Sequence, residues 1–311
     1  MLVRTMALVA CLVAPGEESS PVLEPGAKVE KLWGEGSFME GGALAGDGSL
    51  LFSDIGTKIM RFDPKTGKTT IFRDPSGRSN GLIFDPQGRL VVAEGANTGG
   101  GRRISITEKD GTVRTLADSY KGKRFNSPND VAIDRKGRVY FTDPRYVGSE
   151  PREMDFEGVF RVDPDGTVTR LETSAYKPNG IVVSPDGKTL YVADAGGKRR
   201  ALIALDLSEA GEVSNPRVLH QFGESGGIDG MTVTTDGRIV AAGGMGKAGG
   251  VIVFSPQGKF LAEIPIPERP ANVEFGGPDG KSLYVAAGTG IYRVKTTMIG
   301  FHLWPRIDPE N

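Results

Sequence analysis

The amino-acid sequence predicts an all-β fold, a six-bladed β-propeller with four antiparallel strands in each blade. One observation is a repeat at intervals of 40 to 50 residues, in which an oxygen-bearing side chain lies eight positions before a glycine. The second is that no window of 11 or more residues has convincing helical periodicity. The six repeated segments are EGGALAGDG (40–48), NGLIFDPQG (80–88), NDVAIDRKG (129–137), NGIVVSPDG (179–187), DGMTVTTDG (229–237) and NVEFGGPDG (272–280).

Each repeat supplies the strands of one blade in order. In the third repeat, the segment itself is the first strand, and three further runs follow: RVYFTDP (138–144), GVFRVDP (158–164) and TVTRLET (167–173). These runs are rich in β-branched and aromatic residues, and Gly-bearing turns join them. The sixth repeat has no fourth run. We therefore predict that the N-terminal stretch AKVEKLW (27–33) fills that place and closes the ring.

The N-terminal residues differ in kind from the repeats. Arg4 precedes an apolar stretch that contains Cys11, the only cysteine, which is typical of an export signal. LVAC (8–11) also resembles a lipoprotein processing box, so a lipid anchor at Cys11 is one form of this prediction. The apolar part is short, and the alternative is a cytoplasmic protein with an unstructured N-terminal tail. The predicted organisation is a signal or lipoprotein leader (1–14), a flexible tether (15–28), the propeller (29–304) and a C-terminal tail (305–311).

Composition excludes several classes of partner. The formal net charge is −1, and no basic stripe interleaves with aromatic residues, so we predict no nucleic-acid binding. No stretch is long and apolar enough to span a bilayer. Because a closed propeller leaves no open sheet edge, we predict a monomer.

The repeated oxygen-bearing residue begins the innermost strand of each blade. Six such side chains should therefore form a ring around the axis at one face: Glu40, Asn80, Asn129, Asn179, Asp229 and Asn272. Acids that end the second strands of four blades should lie beside this ring: Asp54, Glu94, Asp143 and Asp194. The alternative for any single Asn, such as Asn80 or Asn272, is a hydrogen bond to local backbone, and for the four acids it is a solvent-facing strand end.

Two carboxylates and four carboxamides that converge on one axis need a partner. A hard divalent cation provides it, and Ca²⁺ accepts 6–8 oxygen ligands in tolerant geometry. Mg²⁺ prefers stricter octahedral geometry, and Zn²⁺ prefers His or Cys. The only histidines, His220 and His302, are outside the ring register and are predicted to be surface or packing residues. We therefore predict calcium.

Five short motifs of the sequence resemble those of a known protein family. In order and spacing from about residue 30 to 300, the sequence resembles the gluconolactonase/senescence-marker-protein (regucalcin) family, which is similar in fold to diisopropyl fluorophosphatase. The motifs are EGG (40–42), NSPND (126–130), FTDP (141–144), PNG (178–180) and IDGM (228–231).

The resemblance implies a six-bladed propeller with an axial divalent metal, and hydrolysis of sugar lactones. It implies metal ligation by Glu40, Asn179 and Asp229, with Asn129 as a fourth ligand or a substrate contact. It also allows Zn²⁺, Mn²⁺ or Mg²⁺ in place of Ca²⁺. The six-residue ring predicted above includes more residues than this ligand set. We predict that Asn129 and four further residues contact substrate: Asn80, Asn272, Asp143 and Glu94.

Two departures from the family pattern concern the substrate. Ser127 stands where some relatives have an arginine, and GANTGGGRR (95–103) replaces a His-bearing turn. Four loops between second and third strands are predicted to set specificity: 95–103, 144–157, 195–200 and 243–250. The second of these is long and charged and is a candidate lid. Basic residues in these loops either read an acidic or hydroxylated substrate or are simply solvated: Arg102, Arg103, Lys198, Arg199 and Lys247.

The predicted chemistry follows from these parts. The cation acts as a Lewis acid on the lactone carbonyl. Asp229 orients or deprotonates the attacking water, and Asn129 and Asn179 hold the substrate and the developing oxyanion. Two alternatives remain open, a phosphotriesterase-type hydrolase on the same scaffold and a non-enzymatic calcium- or ligand-binding propeller.

Overall fold

The computed structural model describes residues 6–8, 11–13, 21–97, 99–197 and 199–305. These residues form 28 β-strands. No helix long and apolar enough to cross a membrane occurs among them.

Six antiparallel sheets make up the blades, each with four blade strands, and the sheets of blades five and six carry a fifth strand at the outer edge. Three strands precede blade one, β1 (Met6–Leu8), β2 (Leu12–Val13) and β3 (Lys28–Trp33). From the axis outward, blade one contains β4 (Met39–Leu44), β5 (Leu50–Asp54), β6 (Lys58–Asp63) and β7 (Lys68–Arg73). Blade two contains β8 (Ser79–Phe84), β9 (Leu90–Glu94), β10 (Arg103–Thr107) and β11 (Val113–Ala117). A small hairpin follows, β12 (Ser119–Tyr120) and β13 (Lys123–Arg124).

The second half of the chain repeats this arrangement. Blade three contains β14 (Val131–Ile133), β15 (Val139–Asp143), β16 (Gly158–Val162) and β17 (Val168–Leu171). Blade four contains β18 (Pro178–Val183), β19 (Thr189–Ala195), β20 (Arg200–Leu207) and β21 (Val213–Gln221). Blade five contains β22 (Gly227–Val233), β23 (Ile239–Gly244), β24 (Gly250–Phe254) and β25 (Phe260–Pro265). Blade six contains β26 (Pro270–Gly276), β27 (Ser282–Ala287) and β28 (Gly290–Lys295), with β3 as its fourth strand.

The ring closes as predicted. The innermost strands contact one another in the cyclic order β4, β8, β14, β18, β22, β26 and back to β4. The N-terminal strand β3 pairs antiparallel with β28, with Trp33 opposite Ile291. Both ends of the chain thus meet in blade six, and the predicted six-bladed propeller is confirmed.

The described N-terminal residues pair with the outer edges of two blades. β1 pairs with β3 at the edge of blade six, and β2 pairs with β25 at the edge of blade five. Val22 is buried, and its carbonyl accepts a hydrogen bond from the Thr297 amide at 3.1 Å. Residues 22–24 form backbone hydrogen bonds or a bridge with residues 295–297, whereas the flexible tether (15–28) stays a prediction. Residues 15–20 of the predicted tether lie outside the described residues.

The hydrophobic core lies between neighbouring blades. Between blades two and three, Phe125, Phe141 and Phe160 are fully buried, and their ring centroids lie 4.9 to 5.5 Å apart. Inward-facing side chains of adjacent sheets interdigitate in this way around the ring. Burial of each large side chain stabilises the fold by roughly 1.5–3 kcal/mol.

The chain after blade six returns to the axis. Gly300 forms a bridge with Thr234, and Trp304 lies against Phe84 with 5.1 Å between ring centroids. Residues 301–304 cover the end of the axis opposite the predicted ring and line a small axial cavity of about 80 Å³. The predicted C-terminal tail lies outside the described residues from position 306 onward.

A clamp around Glu268 holds the closing blade together. Its carboxylate accepts hydrogen bonds from Lys31 Nζ of β3 at 2.6 Å, Tyr292 Oη of β28 at 2.5 Å and the Thr289 amide at 2.8 Å. Burial raises the pKa of Glu268, but these hydrogen bonds outweigh it and hold the pKa at about 2. The clamp therefore contributes most when Glu268 is ionised.

We predict that Glu268→Gln lowers the free energy of unfolding by about 1–2 kcal/mol at pH 7. Because the folded-state pKa lies below the unfolded value, this contribution is complete above pH 4.5 and is lost as the pH falls toward 2. Urea denaturation at several pH values measures it, with the exposed Glu209→Gln as the control. A difference from wild type that stays constant down to pH 2.5 would contradict the clamp.

Candidate functional site

A pocket of about 360 Å³ opens at the face of the propeller where the innermost strands begin. Loops that follow the second strands of blades one, two and three contribute to its wall, as predicted for this face. Its lining residues are Phe38, Glu40, Ile55, Arg78, Asn80, Gly95, Ala96, Ser127, Pro128, Asn129, Tyr146, Val147, Asn179 and Asp229.

β-Bulges orient the ring residues of every blade except blade three, whose strand pairing shows no shift in register. In five blades the pairing between first and second strands shifts register at or beside the ring position, as between Glu40 and Ala43 and between Ile228 and Met231. A bulge bends the strand and re-aims the side chain at that point. This shift turns Glu40 and Asp229 toward the axis, whereas the remainder of each strand keeps the alternation that its core packing requires.

Small residues after the ring positions let the blades approach closely. A Cβ on Gly41 would clash with the carbonyl of Asn80, and a Cβ on Gly180 would clash with the carbonyl of Asp229. The Gly81 amide donates a hydrogen bond to the Asn129 carbonyl at 2.7 Å. The sequence pattern of an oxygen-bearing residue followed by glycine therefore reflects the spacing of neighbouring blades at the axis.

The structure brings five of the six predicted ring residues to one pocket and excludes the sixth. Glu40, Asn80, Asn129, Asn179 and Asp229 line it together.

The prediction of Asn272 as a substrate contact was wrong. Its Oδ1 accepts a hydrogen bond from the Val273 amide at 2.8 Å, and its side chain lies against Gly230. Asn272 thus satisfies local backbone and faces the inner axial cavity.

The two carboxylates of the pocket repel one another. Burial raises the pKa of Glu40 well above its usual value, and the nearby charges of Asp229 and Asp130 raise it further. Burial also raises the pKa of Asp229 to about 6, although a hydrogen bond from Asn179 and the charge of Arg269 lower it. Protein atoms surround the Asp229 carboxylate, yet the residue keeps partial access to the pocket. The site therefore concentrates negative charge that no described ion pair neutralises.

Tyr146, from the loop between β15 and β16, covers part of the pocket. The residue is 45% exposed, yet its hydroxyl reaches inward to the side chain of Asn179. Burial of the hydroxyl end, together with the charge of Asp229, raises the pKa of Tyr146, so the phenol stays protonated. Lys177 Nζ lies 4.6 Å from the ring centroid and fixes its outer face. The expected lid loop (144–157) thus contributes a defined side chain to the pocket.

Acids at the ends of three second strands hold the loops that carry the ring residues. Asp143 accepts hydrogen bonds from the backbone amides of Asn126 and Ser127, both at 2.7 Å. Asp54 and Asp194 do the same in blades one and four, each for the residues two and three positions before its ring residue. Burial raises the pKa of Asp143 to about 7, against the lowering effect of its two amide donors.

The predictions of Asp143 and Glu94 as substrate contacts were wrong, because both side chains are fully buried. Glu94 accepts from Arg73, from Arg103 Nε at 2.7 Å and from Ser105 Oγ at 2.6 Å. It has the same register as Asp143 but binds side chains instead of backbone, from Arg73 of blade one and from Arg103 and Ser105 of its own blade.

Most basic residues proposed to read the substrate are structural. Arg102 is buried, with its Nε bonded to the Phe125 carbonyl at 2.7 Å. Arg103 pairs with Glu94, and Arg199 pairs with Asp194 at 3.0 Å. Of the other two candidates, Lys247 is exposed and does not line the pocket, and Lys198 lies outside the described residues.

Sequence reasoning missed three groups on the axis. Burial raises the pKa of Asp130 to about 7, although it accepts the Ile181 amide at 3.1 Å. Glu274 contacts His302 Nε2 at 3.0 Å beneath the pocket. His302 is therefore an axial residue, since the chain folds back after blade six. Only the pairing of Asn with Asp130 in NSPND hinted at the first of these groups.

The donor set fits a hard divalent cation. Glu40 and Asp229 are acidic oxygen donors without an ion-pair partner among the described residues, and the amides of Asn129 and Asn179 face the same pocket. Within the described part of the chain, no group of three or more His, Cys, Asp or Glu side chains has metal-binding geometry. A mixed set of two carboxylates and neutral amide oxygens is typical of Ca²⁺ rather than of Zn²⁺.

Comparison with known proteins identifies the family. Residues 33–289 match the model of the SMP-30/Gluconolactonase/LRE-like region. The chain belongs to this family. It is 32% identical to the gluconolactonase of Zymomonas mobilis, over 90% of this chain and 84% of the relative.

Other members of the SMP-30/gluconolactonase/LRE-like family support the assignment. The pentonolactonase XacC of Haloferax volcanii is 31% identical over 75% of each chain. The structure of a gluconolactonase from Xanthomonas campestris superposes with a TM-score of 0.79 at 26% identity, over 94% of this chain and all of that one. The resemblance predicted from the EGG, NSPND and IDGM motifs is therefore confirmed.

We predict that Asp143→Asn lowers kcat/KM at least tenfold and the free energy of unfolding by about 1–3 kcal/mol. The new amide sets a donor against one of the two backbone amides, so the loop that carries Asn129 moves. Steady-state kinetics and urea denaturation measure the two effects.

The matched control is Asp134→Asn, at the opposite end of blade three. Asp134 is also buried and holds Arg138 Nε at 2.6 Å. We expect this variant to lose stability but to keep kcat/KM. Equal kinetic losses in both variants would show that Asp143 supports the fold only.

Proposed function

We propose that this chain is a lactonase that opens a sugar-type lactone in the axial pocket, and that a divalent cation, calcium in the simplest case, is its cofactor. Family membership and the likeness to gluconolactonase and pentonolactonase support lactone hydrolysis. The observation that carries the site assignment is the convergence of Glu40, Asp229 and three carboxamides in one accessible pocket.

Glu40, Asn129, Asn179 and Asp229 are the residues that would hold the cation. A bound cation would stabilise the two buried carboxylates, which repel one another, because no described ion pair neutralises their charge. When bound, the cation supplies Lewis-acid polarisation of the ester carbonyl.

Asp229 is the base in this proposal. Its carboxylate is partly accessible from the pocket, so it accepts a hydrogen bond from water and takes its proton as the oxygen attacks the carbonyl carbon. The ring C–O bond then breaks, and the proton passes to the departing alkoxide oxygen. The product is a hydroxy acid, so atoms and charge balance without another reactant.

The asparagines and Tyr146 provide the surroundings of this step. The amide of Asn129 donates to the developing oxyanion. The Asn179 carboxamide lies close to Asp229 and to the Tyr146 hydroxyl and lowers the pKa of both groups. Tyr146 and the wall residues reduce the water around the bond that breaks.

We predict that Asp229→Asn and Glu40→Gln each lower kcat for glucono-1,5-lactone at least a hundredfold. Loss of one charge-stabilising contact raises a barrier by about 2.7–4 kcal/mol. Asn80→Ala should cost less, because its carboxamide is outside the proposed ligand set. Exhaustive chelation should abolish turnover, and added Ca²⁺ should restore it. pH-stat measurement of acid release follows the reaction.

The histidines are the controls for this prediction. His220 packs against Phe254, and His302 lies beneath the pocket. His220→Ala and His302→Ala should therefore retain the rate within about a factor of three, in line with the small effects of substitutions away from the reacting atoms. Full activity after chelation, or a folded but inactive His220→Ala variant, would overturn the axial-cation mechanism.

We also propose export of the chain, since Arg4 and the following apolar residues are typical of a signal. Removal of residues 1–10 would remove β1 but leave four strands in every blade, because β3 closes blade six. We predict that mass spectrometry of the protein from its native host finds the mature N-terminus after Ala10 or a few residues later. Intact Met1 on soluble cytoplasmic protein would reject export.

A further inference from the structure

Among the residues that the structure describes, Arg78 is the only cationic one that lines the pocket. Its guanidinium forms no hydrogen bond or ion pair with any residue that the structure describes. Lys177 is at the equivalent position of blade four. In contrast to Arg78, its Nζ donates a hydrogen bond to the Arg145 carbonyl at 3.1 Å and lies against the Tyr146 ring. Arg78 thus keeps five donors available to a bound molecule.

The position of Arg78 is built into the blade. It lies two residues before Asn80, in the same register as Ser127 before Asn129. The Gly95 amide donates to the Arg78 carbonyl at 2.9 Å, which ties this backbone to the neighbouring loop. Ser127 Oγ accepts the Ala96 amide at 2.9 Å, so the wall between the two blades is continuous.

The backbone of Arg78 is strained. Its φ angle is +59°, a left-handed conformation in which Gly or Asn is more favourable than Arg. Such strain persists where the surrounding structure imposes it, and it clusters at ligand clamps. Fold stability alone would favour Gly or Asn at this place.

Arg78 and the two acids occupy different parts of the wall. Arg78 is farther than 4.0 Å from the carboxylates of Glu40 and Asp229, since it forms no ion pair with either. A planar guanidinium binds carboxylate, phosphate or sulfonate groups by two parallel hydrogen bonds. A substrate could place its ester group beside Glu40 and Asp229 and an anionic group against Arg78, so that both parts of the pocket wall contact it.

We propose that Arg78 is a specificity-determining residue that selects lactones carrying a second, anionic group, such as the lactones of sugar diacids or of phosphorylated or sulfonated sugar acids. This inference rests on the proposed lactonase activity and names its substrate class. The anionic group binds to Arg78 and takes no part in the bond that breaks, so Arg78 acts mainly on KM.

The test compares a neutral with two anionic lactones. The substrates are glucono-1,5-lactone, glucaro-1,4-lactone with its carboxylate, and 6-phosphoglucono-1,5-lactone. We expect wild-type kcat/KM to be at least tenfold higher for one anionic lactone than for the neutral one. Comparison of the two anionic lactones shows whether the pocket prefers a carboxylate or a phosphate. Arg78→Asn, which suits the left-handed backbone, should lower that value about ten- to a hundredfold through KM. Its effect on the neutral lactone should stay within about threefold, and Arg78→Lys should recover part of the loss.

Two controls separate recognition from folding. Lys247→Asn removes an exposed charge from the same face without touching the pocket, so its selectivity should equal that of wild type. Arg78→Asn should melt no lower than wild type, because it relieves the positive φ. Equal losses on neutral and anionic lactones, or a wild-type preference for the neutral lactone, would overturn the inference.

A binding arm distinguishes this inference from the proposed function. Calorimetric titration compares glucarate, with two carboxylates, with gluconate, which has one. If no lactone is hydrolysed, the proposed function fails, yet tighter glucarate binding that Arg78→Asn abolishes would still support the role of Arg78. If the two acids bind wild type equally and the lactones show no anion preference, Arg78 has no such role.

Discussion

Buried negative charge on the propeller axis is the constraint on which the rest of this site depends. Glu40 and Asp229 lie in one pocket, with Asp130 close enough to raise the pKa of Glu40. Removing carboxylates from water is costly, and repulsion between them adds to that cost. The fold sustains this arrangement because the charges sit at the junction of six rigid sheets whose packed cores supply the stability. Closure of blade six by β3 and Glu268 matters for the same reason, since an open ring would let the acids separate.

The same register position performs different tasks in different blades. At the end of the second strand, Asp54, Asp143 and Asp194 receive backbone amides, whereas Glu94 receives arginine side chains. The longer side chain of Glu94 reaches past the loop to Arg73 and Arg103. A repeat therefore conserves the place of an acid while its partners change, and the place alone does not reveal the task.

The proposed chemistry and the proposed recognition involve adjacent layers of the pocket. The ring positions contribute oxygen donors in every contributing blade, but the residues two positions earlier differ in chemistry: Phe38, Arg78, Ser127 and Lys177. Substitution of these residues, two positions before the ring, leaves the bulges and the ring intact. Such a division lets one scaffold serve substrates of different charge, in line with the general observation that function resides in sites carried on a common fold.

The sequence by itself determined the fold, the closing strand and the place of the ring. Each of these depends on local periodicity, and the turn glycines and apolar runs carry that signal in every repeat. The family followed from short motifs such as NSPND. Five of six ring residues were placed in one pocket correctly for the same reason, as the start of an innermost strand must face the axis.

Only the tertiary structure decided which polar groups are available there. Asn272 binds its own backbone, Asp143 holds a loop, and His302 reaches the axis because the chain folds back after blade six. Arg103 and Arg199 form ion pairs with acids, whereas Arg78 forms none with the described residues, although all three lie in or next to loops at the same face. Hydrogen-bond partners come from residues distant in sequence. Whether a polar side chain is already bonded or stays available depends on the bulges and salt bridges next to it in the folded chain, where several groups compete for the same partner. Local sequence carries no record of that competition.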